Sequence, residues 1–213
     1  MATYIERRGN ADEAEPIGLL TEGAAGIATI VLAIIALAGI SAISLASIAT
    51  IVIGVGLLVQ AFNSVAEQSK AMPAEMRTEL GGEVMADCLC GLTGIVLGIL
   101  ALVGINSPHL VSAALIVFGG ALLVSGAVGM RPRTYPASAA AGGQTQIVAY
   151  RGSAAASGME ILIGLAAIVL GILSLVLMAS WVLVLVGFIA VGAALLLVSA
   201  TFGGAVMRLF TTA

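Results

Sequence analysis

Charge is what this sequence has least of. Asp, Glu, Lys and Arg together make up 9% of the 213 residues, where a soluble domain carries about a quarter. Between Glu22 and Glu67, between Asp87 and Arg131, and between Glu160 and Arg208 there is no charged residue at all. Each of these windows is too long for one membrane span and long enough for two of roughly 20 residues. Aromatic residues are also scarce, at 4%, and there are one histidine, two cysteines and five prolines. One histidine and two cysteines are a poor basis for a metal centre, which takes four such ligands in a closed zinc site. No Lys, Arg, Asp, Glu or His falls in the middle of an expected span, where proton relays and ion-coupled carriers place their working groups. No nucleophile–base pair, phosphate loop or cofactor motif occurs, so the sequence points away from an enzyme and calls for no cofactor. A net charge of −3 with scattered basic residues gives no basis for nucleic-acid binding.

What is present is a repeat. Gly26-Ile-Ala-Thr-Ile30-Val-Leu-Ala-Ile34 returns as Gly91-Leu-Thr-Gly-Ile95-Val-Leu-Gly-Ile99 and again as Gly164-Leu-Ala-Ala-Ile168-Val-Leu-Gly-Ile172. The correspondence runs without a gap to Gly54, Gly119 and Gly192. Residues 26–59 and 91–124 are identical at 18 of 34 positions, whereas shared apolar composition gives roughly a fifth, so the copies derive from duplication. Each copy holds two apolar stretches and therefore makes one membrane hairpin. The expected architecture is all-α: six transmembrane helices in three hairpin repeats of the same orientation, with spans near 22–40, 45–64, 87–105, 110–129, 160–178 and 181–203.

That reading divides the chain into a tail (1–21), hairpin one (22–64), a connector (65–86), hairpin two (87–129), a connector (130–157), hairpin three (158–205) and a second tail (206–213). Arg7, Arg8, Lys70, Arg77, Arg131, Arg133, Arg151 and Arg208 all fall in tails or connectors. The positive-inside rule then puts both termini in the cytoplasm of a multi-pass protein in the cell inner membrane. The first 20 residues read as a polar cytosolic tail and not as a cleavable signal. The connector around Pro73 reads as a short surface helix broken at Gly81-Gly82. Gln144–Tyr150 reads as a flexible linker, with a short strand as the alternative.

Glu22, Asp87 and Glu160 each stand four residues before the repeated glycine, at the cytosolic start of the first helix of a hairpin. A carboxylate there interacts favourably with the positive end of the helix, which accounts for the pattern without function. The alternative makes them proton-responsive, gathered as a three-membered ring around a central axis. His109, in the outer turn Asn106-Ser107-Pro108-His109, is either an external pH sensor or an interfacial residue behind a helix capped by Ser107. Cys88 and Cys90 lie on different helix faces in a reducing compartment and read as inert thiols. Ala33, Gly98 and Gly171 align, as do Gly54, Gly119 and Gly192; small residues at such places serve close helix packing. Trp181 suits an interfacial anchor.

The stretch Gly94–Gly126, G-I-V-L-G-I-L-A-L-V-G-I-N-S-P-H-L-V-S-A-A-L-I-V-F-G-G-A-L-L-V-S-G, resembles the short repeat of the HdeD-like acid-resistance membrane proteins. In that family glycine-punctuated helix pairs are joined by a turn containing Asn and Pro, as Asn106 and Pro108 stand here. The resemblance implies a six-span inner-membrane protein tied to acid or general stress, and it carries no catalytic residues over. Three functions remain in view: a structural or stress-protective membrane protein, acting as an oligomer or among other subunits; a channel or carrier for protons or a small neutral solute; and a subunit of a membrane enzyme whose chemistry lies elsewhere.

Overall fold

The computed structural model describes residues 14–71, 77–129, 143–177 and 180–211, with side chains placed for 23–62, 65, 84–128, 157–177 and 180–199. Among the described residues every regular element is a helix: α1 (Ala14–Leu37), α2 (Ala42–Ala71), α3 (Arg77–Leu102), α4 (Ser107–Gly129), α5 (Gly143–Val176) and α6 (Trp181–Thr211). Five contain a stretch long and apolar enough to cross a membrane: Ala42–Phe62, Val84–Leu102, Ser107–Val128, Ser157–Val176 and Trp181–Ser199. At 1.5 Å per residue these span about 30 Å, the thickness of a hydrocarbon core. The described apolar part of α1, Gly23–Leu37, is shorter.

Two expectations for the connectors change. Gln144–Tyr150 is neither linker nor strand: α5 begins at Gly143 and runs through it. The segment is followed by Ser153-Ala-Ala-Ala-Ser157, and alanine is the strongest helix former, so the helix propagates back from the span. Likewise α3 runs unbroken through Gly81-Gly82. Two glycines cost about 2 kcal/mol of helix propensity, which the long apolar continuation offsets.

The first two hairpin turns are the same turn built twice. Gly39 and Gly104 both have φ +88°, and two residues later Ser41 and Asn106 have φ +43° and +45°. At the second turn the Gly104 amide donates to Ala101 and the Ile105 amide to Leu100, the paired bonds of a Schellman motif. Ser107 does not cap its own helix. Its hydroxyl donates 2.8 Å back to the Ala101 carbonyl, tying off the end of α3, while the Asn106 carbonyl accepts from the His109 and Leu110 amides.

Helices α2, α4 and α6 touch one another, and α1, α3 and α5 each lodge between two of them without touching each other. The order around the bundle is therefore α1–α2–α3–α4–α5–α6 and back to α1. Between 44% and 50% of the apolar stretches of α2, α4 and α6 is buried, against 28% and 22% for α3 and α5, which marks the inner and outer sets. The large fully buried apolar side chains all belong to the inner set: Ile53, Val111, Leu115, Phe118, Val184, Leu185, Phe188, Val191 and Leu195. The outer helices contribute small groups to the same core, among them Ala33, Ala36, Ala101 and Ala167.

The outward faces repeat too. Ile27, Leu92 and Leu165 are aligned and 55%, 49% and 55% exposed; Val31, Val96 and Val169 are 47%, 54% and 53% exposed. Ile34, Ile99 and Ile172 complete the stripe. Branched apolar side chains standing outward along a helix face suit hydrocarbon and not water.

Candidate functional site

The most specific geometry in the molecule lies where one hairpin meets the next. A methyl group on Gly54 of α2 would sit 2.7 Å from the Gly91 carbonyl oxygen of α3, and one on Gly91 would sit 2.7 Å from the Gly54 oxygen. Gly119 of α4 and Gly164 of α5 repeat this at 2.6 and 2.7 Å. Gly192 of α6 and Gly26 of α1 repeat it a third time at 3.0 and 2.8 Å. No side chain fits at such separations, so each of the three seams brings backbone against backbone.

Along two seams the approach continues one or two turns on. Gly98 meets Ile51 and the Ser47 carbonyl, and Gly171 meets the equivalent Ile116 and Ser112 carbonyl. Residue numbers rise on one helix as they fall on the other, so the partners are antiparallel. Gly54, Gly119, Gly192, Gly98 and Gly171 thus stand where close helix packing needs them. Ala33, aligned with the last two, is fully buried. The alignment alone did not reveal that Gly26, Gly91 and Gly164 are the opposing halves. It also missed two knob-and-hole contacts. Phe118 presses its ring onto Gly94 of its own hairpin, and Leu115 of α4 sits over Gly187 of α6.

The polar groups are few, and most are spent locally. Thr29, Ser47 and Thr50 donate 2.8 Å to carbonyls four residues back in their own helices. One pair crosses helices: the hydroxyls of Ser112 on α4 and Ser174 on α5 lie 3.0 Å apart, both buried. Ser112 also reaches the Pro108 carbonyl at 2.9 Å, so the two hydroxyls form a short chain with defined acceptors.

Asp87 is 3% exposed at the start of the apolar stretch of α3. Glu160 on α5 is half-buried, with its Cβ 3.2 Å from where a methyl on Gly126 of α4 would lie. Both take part in interactions with other groups. Since α3 and α5 do not touch, these two carboxylates belong to separate places on the bundle and do not face each other across its centre. Glu22 lies within α1, and its side chain is outside the described residues. His109 is exposed at the second turn, and Cys88 and Cys90 are half-buried free thiols. Trp181 begins α6 and is half-buried. Among the described residues no three His, Cys, Asp or Glu side chains come together.

With this geometry in hand, no protein-family model, curated protein or solved structure matches the chain. The arrangement defines a helical protein of the lipid bilayer, and the residues themselves must carry the reading further.

Proposed function

We propose that the chain is a non-enzymatic scaffold of six membrane-spanning helices in the cell inner membrane, with three like-oriented hairpins and both termini in the cytoplasm. Its role is structural and stress-protective, in line with the HdeD-like resemblance, and it acts alone, as a homo-oligomer or beside other membrane subunits. The observation that carries this reading is the filled interior. The inner faces of α2, α4 and α6 bury Ile53, Leu57, Leu115, Leu122, Phe188 and Leu195 to 5% exposure or less. A conducting path needs water or polar groups along its length, and desolvating an ion among such side chains is prohibitive. Support also comes from the seams, where glycine is spent on rigidity and not on a site.

Two measurements test it. Purified protein in proteoliposomes under a pH gradient should pass neither protons nor a small neutral solute above the rate of empty vesicles; flux above that rate would establish the carrier alternative instead. A strain lacking the gene should survive acid challenge less well than its parent and recover on complementation. Equal survival removes the protective role.

A further inference from the structure

Every seam uses a glycine on the second helix of one hairpin and a glycine on the first helix of another. Two of the three seams join helices that follow one another in the chain, α2 to α3 and α4 to α5. The third, Gly192 against Gly26, joins α6 to α1, which no connector links. Its reciprocal contacts match those of the linked seams to within a few tenths of an ångström. A surface that closes equally well with and without a connector does not depend on the connector.

We infer that the Gly26 face of α1 and the Gly54 face of α2 form a docking surface for helices of this pattern, so that the first hairpin is held as a separate subunit would be. The partner it fits is a bundle of two further hairpins offering glycines in the places of Gly192 and Gly91, and the nearest such partner is a second copy of this chain's own residues 74–213. The interface is heterologous: what one hairpin offers on its first helix differs from what it offers on its second. A heterologous interface whose rotation closes makes a ring, here after three units. In hydrocarbon, close backbone packing and not apolar burial drives helix association, and that is the chemistry these seams supply. The inference rests on membrane embedding and is independent of any protective role.

The test supplies the whole chain in two pieces. Residues 1–73, untagged, are co-expressed with tagged 74–213, and the complex is purified in mild detergent and weighed by native mass spectrometry. A one-to-one complex is expected. Gly192→Leu in the long piece or Gly54→Leu in the short one should reduce recovered 1–73 at least tenfold, whereas Val96→Leu on the lipid-facing stripe should leave it unchanged. Should either piece fail to accumulate, a protease site placed between Ala71 and Arg77 of the intact protein and cut after purification gives the same readout on a chain that folded whole. Pieces that insert but separate in detergent overturn the inference, as does a complex indifferent to both glycine substitutions.

Discussion

Gly26 and Gly192 stand at opposite ends of the sequence, yet a methyl on either would lie within 3.0 Å of the other's carbonyl oxygen. The same reciprocal contact is made by Gly54 with Gly91 and by Gly119 with Gly164. Three seams of one design make the bundle a cycle of like interfaces, and consequences for stability follow from that.

Gly119 and Gly120 are neighbours with opposite requirements. A methyl on Gly119 meets the Gly164 carbonyl oxygen at 2.6 Å, while one on Gly120 meets nothing within 4 Å. Gly119→Ala should therefore destabilise the protein by about 1–3 kcal/mol through overpacking. Gly120→Ala should be neutral or stabilising by up to about 1 kcal/mol, as alanine favours the helix. Unfolding in mixed micelles titrated with SDS measures both.

Phe118 and Gly94 should be energetically coupled. A methyl at position 94 would lie 2.4 Å from two carbons of the Phe118 ring. Gly94→Ala alone should cost about 1–3 kcal/mol. With Phe118→Leu present the added cost should fall, giving a coupling of at least about 0.5 kcal/mol in a double-mutant cycle. Strict additivity would show that the ring has room to move.

Ser112 and Ser174 supply the interhelical hydrogen bond between α4 and α5. Each single change to alanine should cost about 0.6 kcal/mol, up to about 1.7, the range for such bonds in membranes. The double change should cost little more than either single one. Ser47 occupies the place of Ser112 in the first copy but bonds only within its own helix, so Ser47→Ala should cost less.

The turns give a backbone test. Gly39 and Gly104, both at φ +88°, should each lose about 1 kcal/mol or more on replacement by alanine. Ser41→Asn should be neutral or stabilising, because asparagine tolerates the left-handed region and already stands at the equivalent Asn106. Thermal unfolding in detergent reads both.

Topology can be checked at one residue. His109 is exposed at the turn between α3 and α4. In a background with Cys88 and Cys90 changed to serine, His109→Cys should react with a membrane-impermeant maleimide added to whole spheroplasts. Labelling that requires lysis would invert the proposed orientation.

The sequence carried the helices, the repeat and the membrane character, because hydrophobic runs and missing charge act locally and leave a direct trace. It also marked Gly54, Gly119 and Gly192 as equivalent, but not the residues they meet. Equivalence tells which positions share an environment and is silent on which faces oppose. Gly26, Gly91 and Gly164 were visible as repeat landmarks, and only the antiparallel seams turn them into partners. The acidic trio shows the same limit. Alignment placed Asp87 and Glu160 at equivalent depths, while the separation of α3 from α5 depends on which helices lie inside. The start of α5 was obscured for another reason: polar and small residues at 143–157 lack the apolar rhythm by which helices are recognised, though they extend one readily.

The outward stripe has a mechanical meaning. Ile27, Val31 and Ile34 are matched at the same heights by Leu92, Val96 and Ile99 and by Leu165, Val169 and Ile172. Lipid meets three sides of the protein with the same apolar height, so any mismatch in thickness pulls equally from each. A single helix relieves mismatch by leaning; a body loaded evenly on three sides gains nothing by leaning in any direction. The protein should stand upright as the bilayer thickens or thins and make the surrounding lipid do the adjusting.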